Sequence, residues 1–97
     1  MIELLRQAER ELTVGRLDQA EKRYWQAIEA DPRNAIAVVG LAREAGERRD
    51  DRTAYAFAVQ ALGIDPENAT ALRLEARLAE VMAARGDPVE RPAFAVA

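Results

Sequence analysis

The tetrad Asp31-Pro32-Arg33-Asn34 returns as Asp65-Pro66-Glu67-Asn68, 34 residues further along the chain. Shifting the whole sequence by that interval aligns much more. Ala8 falls on Ala42 and Ala42 on Ala76, Ala20 on Ala54, Ala27 on Ala61, and Ile28 on Leu62. A proline, an asparagine and a set of alanines kept in one register define an internal repeat, which removes most folds open to a chain of 97 residues.

Each unit contains two runs with helical spacing. Leu4, Ala8 and Leu12 form the first, and Leu17, Ala20, Tyr24, Ala27 and Ile28 the second. Gly15 separates them and suits the left-handed conformation that ends a helix. Asp18 places a carboxylate near the exposed N–H groups of the second run. Asp31-Pro32 stops that helix, because proline biases its predecessor away from helix. Asn34 is placed to cap the next. The tetrad is therefore a stop and a start joined together, needed once per helix pair. The alanines mark close contacts, since two helices approach closely only where side chains are small. Ala8 with Ala20 and Ala27, then Ala42 with Ala54 and Ala61, are the expected contact points. In the second unit Arg49 stands at the turn position of Gly15, and Gly46 lies nearby, so the third helix ends at one or the other. The third unit offers a single helix over residues 69–85, with Gly86 as its cap and Pro88 beyond.

The period, Gly15, Tyr24, Pro32 and the alanines, matched by Ala42, Ala54, Ala61 and Pro66, resemble the tetratricopeptide repeat family from Met1 to about Arg85. The resemblance implies an all-α fold, an α-α superhelix of antiparallel helix pairs. Its repeats would be residues 1–34 and 35–68, with a capping helix over 69–85 inside a domain of residues 1–87, and an extended tail over 88–97. The chain departs from the family pattern at several places. Leu4 and Val38 stand where a tryptophan is common, Glu11 and Ala45 where an aromatic is usual, and Ala58 where the first unit has Tyr24.

By the same resemblance the first helix of each pair lines a concave groove for a peptide or helix. The matching positions are Ile2, Leu5, Glu9, Leu12 and Thr13, then Ile36, Val39, Arg43 and Glu47, then Thr70, Arg73, Arg77 and Val81. Such a groove is apolar at one end and basic at the other, and suits an apolar segment followed by acidic residues. Two plainer readings stand beside it. Ile2, Leu5, Ile36 and Val39 could fill core, and the arginines could form a solvated face paired with Glu75 or Glu80. One subset of the family grips the C-terminal carboxylate of chaperones with Lys, Asn and Arg side chains. Leu5, Glu9, Gly40, Thr70 and Leu74 occupy the matching places here, so that activity is not expected. Trp25 reads either as a residue packed on the neighbouring helix or as an exposed interface anchor. Phe94 and Val96 make the tail, with its two prolines, an extended but adhesive segment.

Composition narrows the chemistry. The chain has no cysteine, histidine or serine, which removes the commonest nucleophiles, general base and metal ligands together. No catalysis, cofactor or metal site is expected. A net charge of −3 disfavours nucleic acid as a partner. No run is long and apolar enough for a membrane span, and the first residues do not read as a signal peptide, so a cytoplasmic protein is expected. Arg85-Gly86-Asp87 reads as a helix cap, Asn68-Ala69-Thr70 as a helix start, and Asp50-Asp51 as a turn and cap rather than a cation site. The expected function is a non-catalytic protein–protein interaction module with a scaffold role. The alternative is a homo-oligomer built through end faces or the tail.

Overall fold

The computed structural model describes residues 1–93, so Phe94 lies outside the described residues. Five helices follow one another: α1 (Ile2–Thr13), α2 (Leu17–Ala30), α3 (Ala35–Glu47), α4 (Asp51–Ile64) and α5 (Ala69–Ala84). Among the described residues there is no strand. Each helix packs on the next as antiparallel neighbours, and α1 also touches α3.

The repeated tetrad makes the same hydrogen bonds twice. Asp31 ends α2 in extended conformation, and its carboxylate accepts from Arg33 N–H at 3.1 Å. The Asn34 N–H donates to Asp31 C=O at 3.0 Å, and the Asn34 side chain accepts from Ala37 N–H at 3.1 Å. At the second copy Asp65 accepts from Glu67 N–H at 3.1 Å and Asn68 accepts from Ala71 N–H at 2.9 Å. One tetrad thus satisfies donors that a helix start leaves without partners.

The turn within each of the two pairs and the end of α5 use the left-handed conformation. Gly15 has φ +83° and Gly86 has φ +80°. Arg49 has φ +63°, so it takes the role of the turn glycine, and α3 continues through Gly46 to Glu47. The Asp50 side chain then caps α4 by accepting from Thr53 N–H at 3.2 Å.

Packing follows the alanines. Ala8, Ala20, Ala27, Ala42 and Ala61 are fully buried, and Ala54 is nearly so. Gly40 adds a contact of another kind. A methyl group there would collide with the Tyr24 ring, which lies directly against the α3 backbone. Overpacking at such a contact costs about 1–3 kcal/mol. The core therefore reaches its density by bringing helix axes together rather than by filling space with large side chains. Ala76 behaves differently from its counterparts Ala8 and Ala42. It is exposed, because no helix packs on that side of α5 among the described residues.

Two buried carboxylates join elements that are distant in sequence. Glu44 is 3% exposed and pairs with Arg48, which reaches across to Asp18 at 2.5 Å and so ties α3 to α2. Glu75 is 1% exposed. It accepts from Tyr55 Oη–H at 2.7 Å and from both Arg91 Nε–H at 2.7 Å and Arg91 Nη2–H at 2.5 Å. Residues 88–92 form neither helix nor strand and are fastened to the helices. Val89 packs on the cluster of Tyr55, Leu78, Ala79 and Met82, and Asp87 pairs with Arg52. The expectation that Glu75 would pair with groove arginines is corrected. It lies on the core side of α5, where only a cation delivered by the strap reaches it.

Two outcomes are expected. Arg49→Gly should stabilise the fold by about 0.5–1 kcal/mol, because relief of left-handed strain exceeds the added chain entropy. Denaturant titration checks this. Hydrogen bonding from Arg91 holds the Glu75 carboxyl below its ordinary value of 4.5 against the opposing effect of burial. Its contribution is therefore complete above pH 4.5 and is lost as pH falls through the lower folded value. Thermal melts should show that Arg91→Ala lowers the neutral-pH midpoint. The same change in a Glu75→Gln background should lower it much less, and Glu75→Gln alone should flatten the acid limb.

Candidate functional site: the concave groove

Helices α1, α3 and α5 line one side of the molecule, and α2 and α4 form the other layer. Between α3 and α5 the lining opens into a groove of about 710 Å³, floored by Ala42, Ala54, Leu74 and Leu78. A smaller recess of about 150 Å³ between α1 and α3 shares Arg43 and Thr70 with it, so the two form one trough.

The expected residues divide into three groups. Leu5, Glu9, Ile36, Val39 and Arg43 line the small recess, and Arg43, Arg73 and Arg77 line the large one. Ile36 is 63% exposed at the lip, so it does not fill core, whereas Val39 is 6% exposed and forms the wall from inside the core. Leu12 and Ile2 line neither recess. Leu12 is 6% exposed and packs in the core with Tyr24 and Ala27, because its position turns it onto α2. Ile2 is 68% exposed at the outer end of α1.

At the junction of the two recesses stands an ion pair between equivalent positions of adjacent units. Arg43 Nη1–H donates to Glu9 Oε2 at 2.7 Å, and Nη2–H donates to Oε1 at 3.0 Å. The Tyr24 hydroxyl reaches Glu9 Oε2 at 3.4 Å. Arg43 holds the Glu9 carboxyl below the usual carboxylate range, mainly through the hydrogen bond. Burial, followed by the Glu9 charge, pushes the Tyr24 hydroxyl up to about 12. Tyr24 therefore stays protonated and serves as a donor. It reaches the trough only because Gly40 leaves its ring room, and Tyr24 was not expected in the groove. The glycine facing an aromatic one helix away was the available signal.

The remaining charge is uneven. Arg43, Arg73, Arg77 and Arg85 line the large recess against Glu47 and Asp51. Glu9 occupies Arg43, and Asp51 pairs with Arg85 at 2.7 Å. Arg73 and Arg77, on successive turns of α5, have no carboxylate partner among the described residues; Arg73 reaches only Thr70 Oγ1, at 3.5 Å. The trough therefore offers an apolar end at Leu5, Ile36 and Val39 and two available guanidinium groups at the other.

Trp25 lies away from the trough. It is 41% exposed and meets Phe57 edge-on, with ring centroids 6.0 Å apart, so it packs across α2 and α4 while keeping an open edge. Among the described residues no group of carboxylates could hold a metal ion, and no helix is long and apolar enough to cross a membrane. No family model, curated protein or solved structure matches the chain.

A double-mutant cycle on Glu9→Gln and Arg43→Gln should give a coupling of about 0.2–1 kcal/mol, as for exposed pairs. Because the folded Glu9 value is lowered, that coupling is fully present above the ordinary value of 4.5 and is lost as pH falls through the lower folded value. Denaturation at neutral and acid pH measures it.

Proposed function

We propose that the chain is a tetratricopeptide-type, non-catalytic binding module. Its trough takes a segment of another protein with an apolar side chain followed by carboxylates. The observation that carries this reading is the pair of available guanidinium groups, Arg73 and Arg77, facing the trough beyond an apolar recess. An acidic segment would supply the carboxylates that, among the described residues, the chain gives to Arg43 and Arg85 but not to these two. The apolar recess would hold one side chain of the segment against Ile36 and Val39. The absence of histidine, cysteine and serine supports recognition rather than turnover.

Exposed ion pairs contribute about 0.2–1 kcal/mol each, so Arg73→Ala with Arg77→Ala should weaken binding about 2–30-fold. Isothermal titration with a short apolar–acidic peptide, and with a control in which lysines replace the acids, measures this. The reading requires that the acidic peptide bind, that the control not bind, and that added salt reduce the difference. Equal binding of both peptides, or of neither, contradicts it.

A further inference from the structure

Among the described residues, nothing covers one face of the last helix of the array. Ala8 and Ala42 occupy equivalent positions, and each is fully buried beneath the following helix, α2 or α4. Ala76 is the third member of that series, and it is exposed on α5. Ala69, Leu72, Ala76, Glu80 and Ala83 share its face at helical spacing, and all are exposed. The strap of residues 88–93 does not take this place. Its anchors Glu75, Ala79 and Met82 lie along one edge of the face. The opposite end of the array is closed in another way. Where α3 turns Ala37 and Leu41 toward the preceding helix, α1 carries Glu3 and Gln7, and Glu3 pairs with Arg10 at 3.3 Å. The molecule therefore has one polar end and one apolar end.

We infer that a second copy of this chain covers the open face, through an antiparallel, two-fold contact of α5 with α5. Charge selects this occupant. Arg73 and Glu80 lie about two turns apart on the same border of the face. A two-fold axis passing beside Ala76 and Arg77 brings Arg73 of each copy opposite Glu80 of the other, since antiparallel helices set like borders against each other. Glu80 lies within the field of Arg91, and Arg73 makes its only described contact with Thr70, so both side chains remain exposed at the border. Ala76 at the centre allows the two helix axes to approach closely, as Ala8 and Ala42 do inside the repeats. The polar end at Glu3 and Arg10 does not match this face. The contact therefore closes as a dimer rather than extending as a filament. The trough lies on the neighbouring side of α5, toward Arg77 and Val81, and shares Arg73 with this border, whereas Glu80 lies outside its lining and so tests the contact apart from the groove.

Light scattering and sedimentation between about 10 µM and about 1 mM protein test it. The full chain should move from monomer to dimer across that range. Ala76→Arg should remain monomeric with unchanged helical circular dichroism. Arg73→Glu alone and Glu80→Arg alone should each weaken the dimer about tenfold by setting like charges opposite each other. An equimolar mixture of those two variants should restore it as a heterodimer. The inference is overturned if the full chain stays monomeric throughout, if Ala76→Arg still dimerises, or if the mixed variants show no rescue. It is also overturned if a chain ending at Ala93 dimerises where the full chain does not, because residues 94–97 would then cover the face.

Discussion

Close approach of helix axes is the constraint on which the rest of the structure depends. With aromatics at 5% of the chain, a core of interlocking aromatic side chains is not available. The helices instead meet at alanines that have no exposed surface and at Gly40, where the Tyr24 ring rests on backbone. Contacts at these small residues then fix the geometry of what lies above them. They set Glu9 and Arg43 opposite each other across adjacent units, and they bring the Tyr24 hydroxyl through to the trough. The same constraint explains why one helix face at the end of the array remains conspicuous. A surface built for close contact stays apolar and shallow when nothing lies on it.

Buried charge supplies the second organising element. Glu44 and Glu75 stand on core-facing positions of α3 and α5, where an apolar residue would be the simpler choice. Each is neutralised by an arginine, one reaching from α3 to α2 and the other delivered by the strap after α5. A buried carboxylate tolerates few arrangements, since an unpaired charge there is strongly unfavourable. These pairs thus specify which segment lies where more sharply than their net contribution to stability would suggest. The strap stands beside the open face of α5 and shields one edge of it.

Most of the fold was legible in the sequence because its signals are local. Asp-Pro-x-Asn ends and begins helices through bonds spanning only a few residues, and the alanine register follows from the period. Alignment with Gly15 left Gly46 and Arg49 as alternative ends of α3, and the backbone, with Arg49 at φ +63°, decides between them. The less legible parts are those set by distant contacts. Glu75 has the appearance of a surface residue until Tyr55 and Arg91 are placed around it. Leu12 follows the apolar spacing of the groove positions but turns into the core. Ala76 obeys the repeat in sequence and departs from it in environment, because the helix that buries its counterparts has no equivalent after α5 among the described residues. Ile36, Arg43, Arg73 and Arg77 came only from the family resemblance and line the two recesses, whereas Tyr24 enters through a gap that depends on packing.

The central claim is that recognition occurs in the trough formed by α1, α3 and α5. The most direct measurement is a nitrogen–proton correlation spectrum of the labelled protein during addition of an apolar–acidic peptide. The account predicts that amide shifts concentrate at Ile36, Val39, Thr70, Arg73 and Arg77, while the outer layer around Trp25 and Phe57 stays unchanged. Shifts centred on the outer layer, or a spectrum unaltered at saturating peptide, would contradict it.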